Sequence, residues 1–189
     1  MLASVSSIGS IDSPCLEVEL QGSEVSLDLA NQSISAVAWL LGTDQDLSPF
    51  YQLARQDPTM SAITKRFRGL HVPHTATVFE ALVLGILGQQ IATNVARIIR
   101  TLLIETYGPK GSLGGEVFYA FPRPESLATV SVEELRGLKL SQRKAEYVQG
   151  VALSALGVSG RNLERLRELD DIEVVKEVTA LRGLSLIHI

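Results

Sequence analysis

The chain has 189 residues, 46% of them hydrophobic and 20% charged, a balance that excludes a disordered polymer and allows one domain with a real core. Its net charge of −4 supplies no overall positive field for a nucleic-acid partner, so any such binding would rest on local groups. The lone cysteine, Cys15, rules out a disulfide framework, a cysteine zinc site and a complete iron–sulfur ligand set within these residues.

The opening MLASVSSIGS lacks the basic start and apolar middle of a signal peptide, and the longest apolar runs, such as AVAWLL, are too short to span a bilayer. A cytoplasmic chain with no membrane contact is expected. LEVEL and VSLDL alternate apolar and polar residues around QGSE, which predicts a short β-hairpin, Leu16–Leu20 with Val25–Leu29. From Asn31 the period is helical to the end. SISAVAWLLG is a helix stopped by Gly42. Ser48-Pro49 and Asp57-Pro58 each set a capping side chain before a proline, opening two short helices. GLHVPHTAT reads as a linker, with His71 and His74 as solvated loop histidines rather than metal ligands; no metal and no cofactor are expected.

Thr77 with Glu80, and Ser131 with Glu134, have capping-box spacing. After the first box, Phe79, Leu82, Val83, Ile86 and Leu87 recur at helical intervals, as do Ile91, Val95, Ile98, Ile99, Leu102 and Leu103, and both sets are expected to face a core. Tyr107-Gly108 ends that run, PKGSLGG is a flexible loop, and FPRPESLA restarts a turn of helix. Ser141 is the expected cap of a helix ending near Gly157, and Asp171 of a last helix, Ile172–Leu181. The architecture is mainly α, with a small β element in front.

One local feature has no explanation in this pattern. Within FEALVLGILGQQIATNVA, Gln89 and Gln90 interrupt an apolar helix, and burying an unpaired amide is costly. Taken in order, that segment, YG, FPRPESLA, EELRGLKLSQRKAEYV and LRGL resemble the helix-hairpin-helix (HhH-GPD) DNA glycosylases, most closely the AlkA-type 3-methyladenine DNA glycosylases. The resemblance covers roughly Trp39 to Leu184. It implies a monomeric enzyme of base excision repair, acting on double-stranded DNA that contains alkylated bases. The location implied is nucleoid-associated in a prokaryote and nuclear in a eukaryote.

The same resemblance assigns residues. Gln90 matches the wedge that enters the duplex where the damaged nucleotide has left; endonuclease III-like relatives carry glutamine there and AlkA leucine. Gln89 matches the glutamine before it. Leu181-Arg182-Gly183-Leu184 resembles the start of the hairpin whose backbone N–H groups meet a phosphate, and Lys144, within the basic cluster Arg136, Lys139, Arg143 and Lys144, is a candidate phosphate contact. Each assignment has a plainer alternative: amides satisfying a helix break, a glycine helix stop, a solvated basic face.

The family's catalytic aspartate would lie beyond Ile189, so no catalytic residue is assigned, and Asp170 and Asp171 read as helix caps. The final SLIHI departs from the family pattern, and a truncated reading frame is expected. So is exposure of Trp39, Leu40, Phe50 and Tyr51. The expected organisation is a remnant of an N-terminal β domain over 1–30, helices of a second subdomain with linker over 31–76, the HhH-GPD helical domain over 77–184, and a non-native tail over 185–189. The alternatives are an endonuclease III-like glycosylase/lyase fragment and a non-catalytic helical module binding DNA or protein.

Overall fold

The computed structural model describes residues 2–10, 13–22, 25–157 and 162–184. The expected tail over 185–189, and Ser23 and Glu24 of the expected QGSE turn, lie outside the described residues. The chain divides into two compact units, Met1–Ala76 and Thr77–Ile189, and is mainly helical, with two small antiparallel hairpins.

In the first unit, β1 (Leu2–Ser7) pairs with β2 (Leu16–Gln21), Leu2 opposite Gln21 and Ser7 opposite Leu16. In place of the expected second strand, Val25–Leu29, the chain caps and begins α1 (Leu27–Leu41). Ser26 is extended and its hydroxyl accepts the Leu29 amide at 3.2 Å, with Asp28 in the first turn. An N-cap and an acidic residue at the positive end of the helix outweigh five residues of alternation. The expected boundary between residues 30 and 31 therefore falls inside a helix.

α1 stops at Gly42, whose amide returns to Ala38 O and Trp39 O. The linker then folds back onto this end. The His74 amide donates to Leu40 O at 3.0 Å, and the Trp39 indole donates to Thr75 O at 2.9 Å. His74 Nδ1 lies 2.8 Å from Trp39 O, its Nε2 lies 3.0 Å from Gln45 Nε2, and its ring sits 4.4 Å from that of Trp39. A carbonyl can only accept, so Nδ1 carries the proton and Nε2 accepts from Gln45. His74 is a structural residue rather than a solvated one. His71 is also half-buried, its Nδ1 shielded from solvent. For His74 the reason is that the carbonyls ending α1 need donors, and the linker supplies them.

α2 (Ser48–Ala54) packs on α3 (Pro58–Arg66). Asp57 caps α3 as expected, accepting the Met60 amide at 2.8 Å. Ser48 is not a cap but the first residue of α2, and Asp46 Oδ1 takes its amide at 2.9 Å. Of the four apolar residues expected to be exposed, Phe50 is, at 46%, whereas Trp39, Leu40 and Tyr51 are half-buried. Tyr51 Oη accepts the Gly69 amide at 2.8 Å, which holds that ring inward.

The second unit contains the principal core. α4 (Val78–Gly88) begins at Thr77, whose hydroxyl accepts the Glu80 amide at 3.0 Å, and Phe79, Leu82, Val83, Ile86 and Leu87 are all buried. α5 (Thr93–Tyr107) buries Ile99 and Leu103, but Val95 and Ile98 are exposed at 40% and 46%. At about 100° per residue, Ile98 lies well around the helix from the face shared by Ile99 and Leu103. The apolar stripe was wider than the contact.

The expected flexible loop after α5 is a hairpin, β3 (Lys110–Leu113) with β4 (Glu116–Tyr119). Gly114 and Gly115 both have positive φ, 60° and 86°, the backbone that a two-residue turn requires if its twist is to match the strands. Next come α6 (Pro124–Ala128), α7 (Val132–Gly137), α8 (Gln142–Ala155), a 3₁₀ turn (Leu163–Glu168) and α9 (Asp171–Thr179). α8 is the central piece, packing on α4, α6 and α7 through Ala145, Val148, Val151 and Ala152. Asp170, not Asp171, caps α9, accepting the Glu173 amide at 2.9 Å.

Ser131 and Glu134 form a complete capping box at the start of α7. Hydrogen bonds from the Ser131 hydroxyl, then from its amide, hold the Glu134 carboxyl below the usual range. A lowered folded pKa contributes stability above the unfolded value, and that stability is lost as pH falls through the lowered one. Ser131→Ala should thus lower the melting temperature at about pH 7 more than at about pH 2; an equal loss at both, read by thermal melts, would count against the box.

Candidate functional site

The two glutamines sit at the corner between α4 and α5, and they do different things. Gln89 ends α4 in extended conformation (φ −60°, ψ 131°), while Gln90 has φ +53° and is exposed. Gln90 and Lys139 are the only non-glycine residues with positive φ among the described residues. For an L-residue that conformation costs on the order of 1–2 kcal/mol, so the surroundings must hold it.

Three hydrogen bonds lie beside it. Gln89 Nε2 donates to Gly183 O at 2.8 Å, and Lys144 Nζ donates to Leu87 O at 2.8 Å and to Gln89 O at 2.7 Å. Those carbonyls belong to the negative end of α4, where a cation is favoured. Burial holds the Lys144 ammonium below the usual lysine range. The Gln90 amide makes no hydrogen bond with a described residue and faces outward. The plainer reading of the pair therefore describes Gln89, which satisfies a backbone group, and leaves Gln90 unexplained.

Gly183 has φ +95°, and a Cβ there would overlap the Tyr147 ring. Leu181 and Leu184 are buried on either side, the Leu184 amide returns to Leu181 O at 3.2 Å, and Arg182 is exposed. The buried leucines anchor the turn and leave Arg182 in solvent.

Of the residues expected from the sequence, the structure joins Gln89, Lys144 and Gly183 directly. Gln90 lies on the corner that they hold, and Arg182 and Leu184 flank the glycine. Arg136, Lys139 and Arg143 are exposed. Tyr147 was missed. It lies three residues after Lys144, on the same side of α8, and that spacing is the one signal that could have linked them. Among the described residues, no group of three or more His, Cys, Asp or Glu is placed to hold a metal. No described helix is long and apolar enough to cross a membrane.

The second unit thus sets short helices around one core, with a strained corner tied to a glycine turn. The chain belongs to the HhH-GPD superfamily of base excision DNA repair proteins, whose family model matches residues 83–185. A DNA-3-methyladenine glycosylase of Bacillus subtilis (strain 168) is 33% identical over 143 residues, covering 75% of this chain and 46% of that protein. The chain thus spans about half the length of this curated relative. Among solved structures, the 3-methyladenine DNA-glycosylase from Archaeoglobus fulgidus shares the fold with a TM-score of 0.78 at 24% identity, covering 97% of this chain and 60% of that one. The Clostridium acetobutylicum 8-oxoguanine glycosylase/lyase, solved with double-stranded DNA, gives a TM-score of 0.76 at 16% identity, covering 97% and 58%.

Proposed function

We propose that the protein acts as a DNA N-glycosylase of base excision repair, hydrolysing the N-glycosidic bond of alkylated purines such as 3-methyladenine after flipping the base out of double-stranded DNA. The observation that carries this reading is Gln90, exposed, without a hydrogen bond among the described residues, and in a strained conformation at a braced corner. Strain maintained by surrounding contacts marks functional positions. Flipping a nucleotide costs a few kcal/mol of pairing and stacking, and a side chain occupying the gap offsets part of that cost. A glutamine suits the gap because its stem fills space while its amide bonds the orphaned base.

In this reading the turn's Arg182 and Gly183 amides meet a phosphate, with the Arg182 side chain beside them, the Leu184 amide being spent on Leu181 O. This neutral grip tolerates a chain of negative net charge. Gln89 and Leu184 support that turn from within the unit. The reaction itself needs little acid catalysis, because a cationic alkylated purine leaves readily; a carboxylate would stabilise the sugar cation. Asp170 is engaged in capping α9, and no residue of 1–189 is assigned that role. In this reading the β1–β2 hairpin belongs to an N-terminal β domain, the helices up to 76 to a second helical subdomain, and 77–184 to the HhH-GPD helical domain, and the protein acts as a monomer.

The test is binding of the chain to a duplex with an abasic-site analogue and to the same duplex undamaged, at one salt concentration. The chain should prefer the former, and Gln90→Ala should reduce that preference about tenfold, the scale of one well-placed polar contact. Equal losses on both duplexes would remove the wedge.

A further inference from the structure

We propose that Lys144 is a positioning residue for the corner rather than a phosphate contact: by clamping the Leu87 and Gln89 carbonyls it fixes the left-handed backbone at Gln90. The inference rests on the glycosylase reading for its meaning, but the clamp itself can be tested without DNA.

The ammonium has three donors, and two are spent on carbonyls at 2.8 and 2.7 Å. These acceptors flank the point where α4 ends, so one cation bridges the last turn of the helix and the first residue outside it. Bonds between a charged donor and a carbonyl are roughly twice as strong as neutral ones. Lysine suits the task because its four-carbon stem reaches from α8 and its donors rotate to meet two acceptors. A half-buried ammonium committed in this way is poorly placed to neutralise a phosphate as well.

The clamp also sets register. Lys144 and Tyr147 lie three residues apart on α8; the first grips the corner, and the second lies under Gly183. Gln89 Nε2 closes the triangle on Gly183 O. One rigid helix thereby positions both the corner and the turn. Removing the clamp leaves two carbonyls without their donor and lets Gln90 relax toward negative φ.

Three measurements test this. First, in the unaltered chain the Lys144 ammonium protons should be protected from exchange and visible by NMR near neutral pH; rapid exchange would overturn the clamp. Second, in Lys144→Met the Gln90 backbone shifts and couplings should leave the left-handed range. If Lys144→Met does not fold, Lys144→Leu, which offers neither carbonyl a donor, is read in its place. A left-handed Gln90 in a folded variant would overturn the proposal.

Third, Lys144→Met should lose about tenfold on the abasic-analogue duplex, the scale of a hydrogen bond to a charged group. Its affinity for undamaged DNA and its salt slope should be unchanged, and adding Gln90→Ala should produce little further loss. A phosphate contact would instead weaken both duplexes alike and reduce the slope by about 0.9, overturning the proposal. If the unaltered chain shows no preference for the lesion, the glycosylase reading fails, and the two NMR measurements still decide the clamp.

Discussion

Replacing Gly183 with alanine should destabilise the chain by about 2–4 kcal/mol, combining an unfavourable backbone for an L-residue with overpacking against an aromatic ring. The residue has φ +95°, and the added Cβ meets the Tyr147 ring rather than open space. The contact reaches the root of the side chain, Cβ and Cγ as well as Cδ2, so turning the ring alone does not relieve it. The turn itself must therefore shift, and the Gln89–Gly183 hydrogen bond should be lost with it. Urea denaturation reads the stability, and the abasic-analogue binding assay reads the function. A stability change within about 0.5 kcal/mol, the range of ordinary surface substitutions, would show that Gly183 is not held against Tyr147.

Leu103→Ala should cost about 2–5 kcal/mol, the lost transfer energy of the side chain plus the cavity it leaves. Leu103 is completely buried in α5 and belongs to the cluster that includes Ile86, Leu87, Leu127 and Leu135. Ile98, five residues earlier and 46% exposed, should cost far less when truncated. The comparison tests the seating of α5. If Ile98→Ala were as damaging as Leu103→Ala in chemical denaturation, the helix would be rotated relative to its partners.

Much of the helical framework was legible from short-range patterns. Phe79, Leu82, Val83, Ile86 and Leu87 recur on one face of α4 and are all buried, and Thr77, Ser131 and Ser141 cap the helices they precede. Such signals act within three or four residues, so local chemistry suffices. The errors came where two local signals competed. VSLDL alternates like a strand, yet Ser26 and Asp28 start a helix there; PKGSLGG reads as a loop, yet its last two glycines turn a hairpin into EVFY. α5 carries more apolar residues than its partners cover, so periodicity alone could not separate Ile98 from Ile99.

The sequence by itself determined that two amides would interrupt an apolar helix at a break, and that a glycine would end the chain's last described turn. Only the tertiary structure decided which amide faces inward. Gln89 finds its acceptor 94 positions away at Gly183, and Lys144 reaches back 57 and 55 positions to Leu87 and Gln89. A carbonyl at a helix end accepts any donor that the fold delivers, and no local pattern names that donor. The outward glutamine is set by bonds that exist only once α4, α8 and the Gly183 turn have packed together.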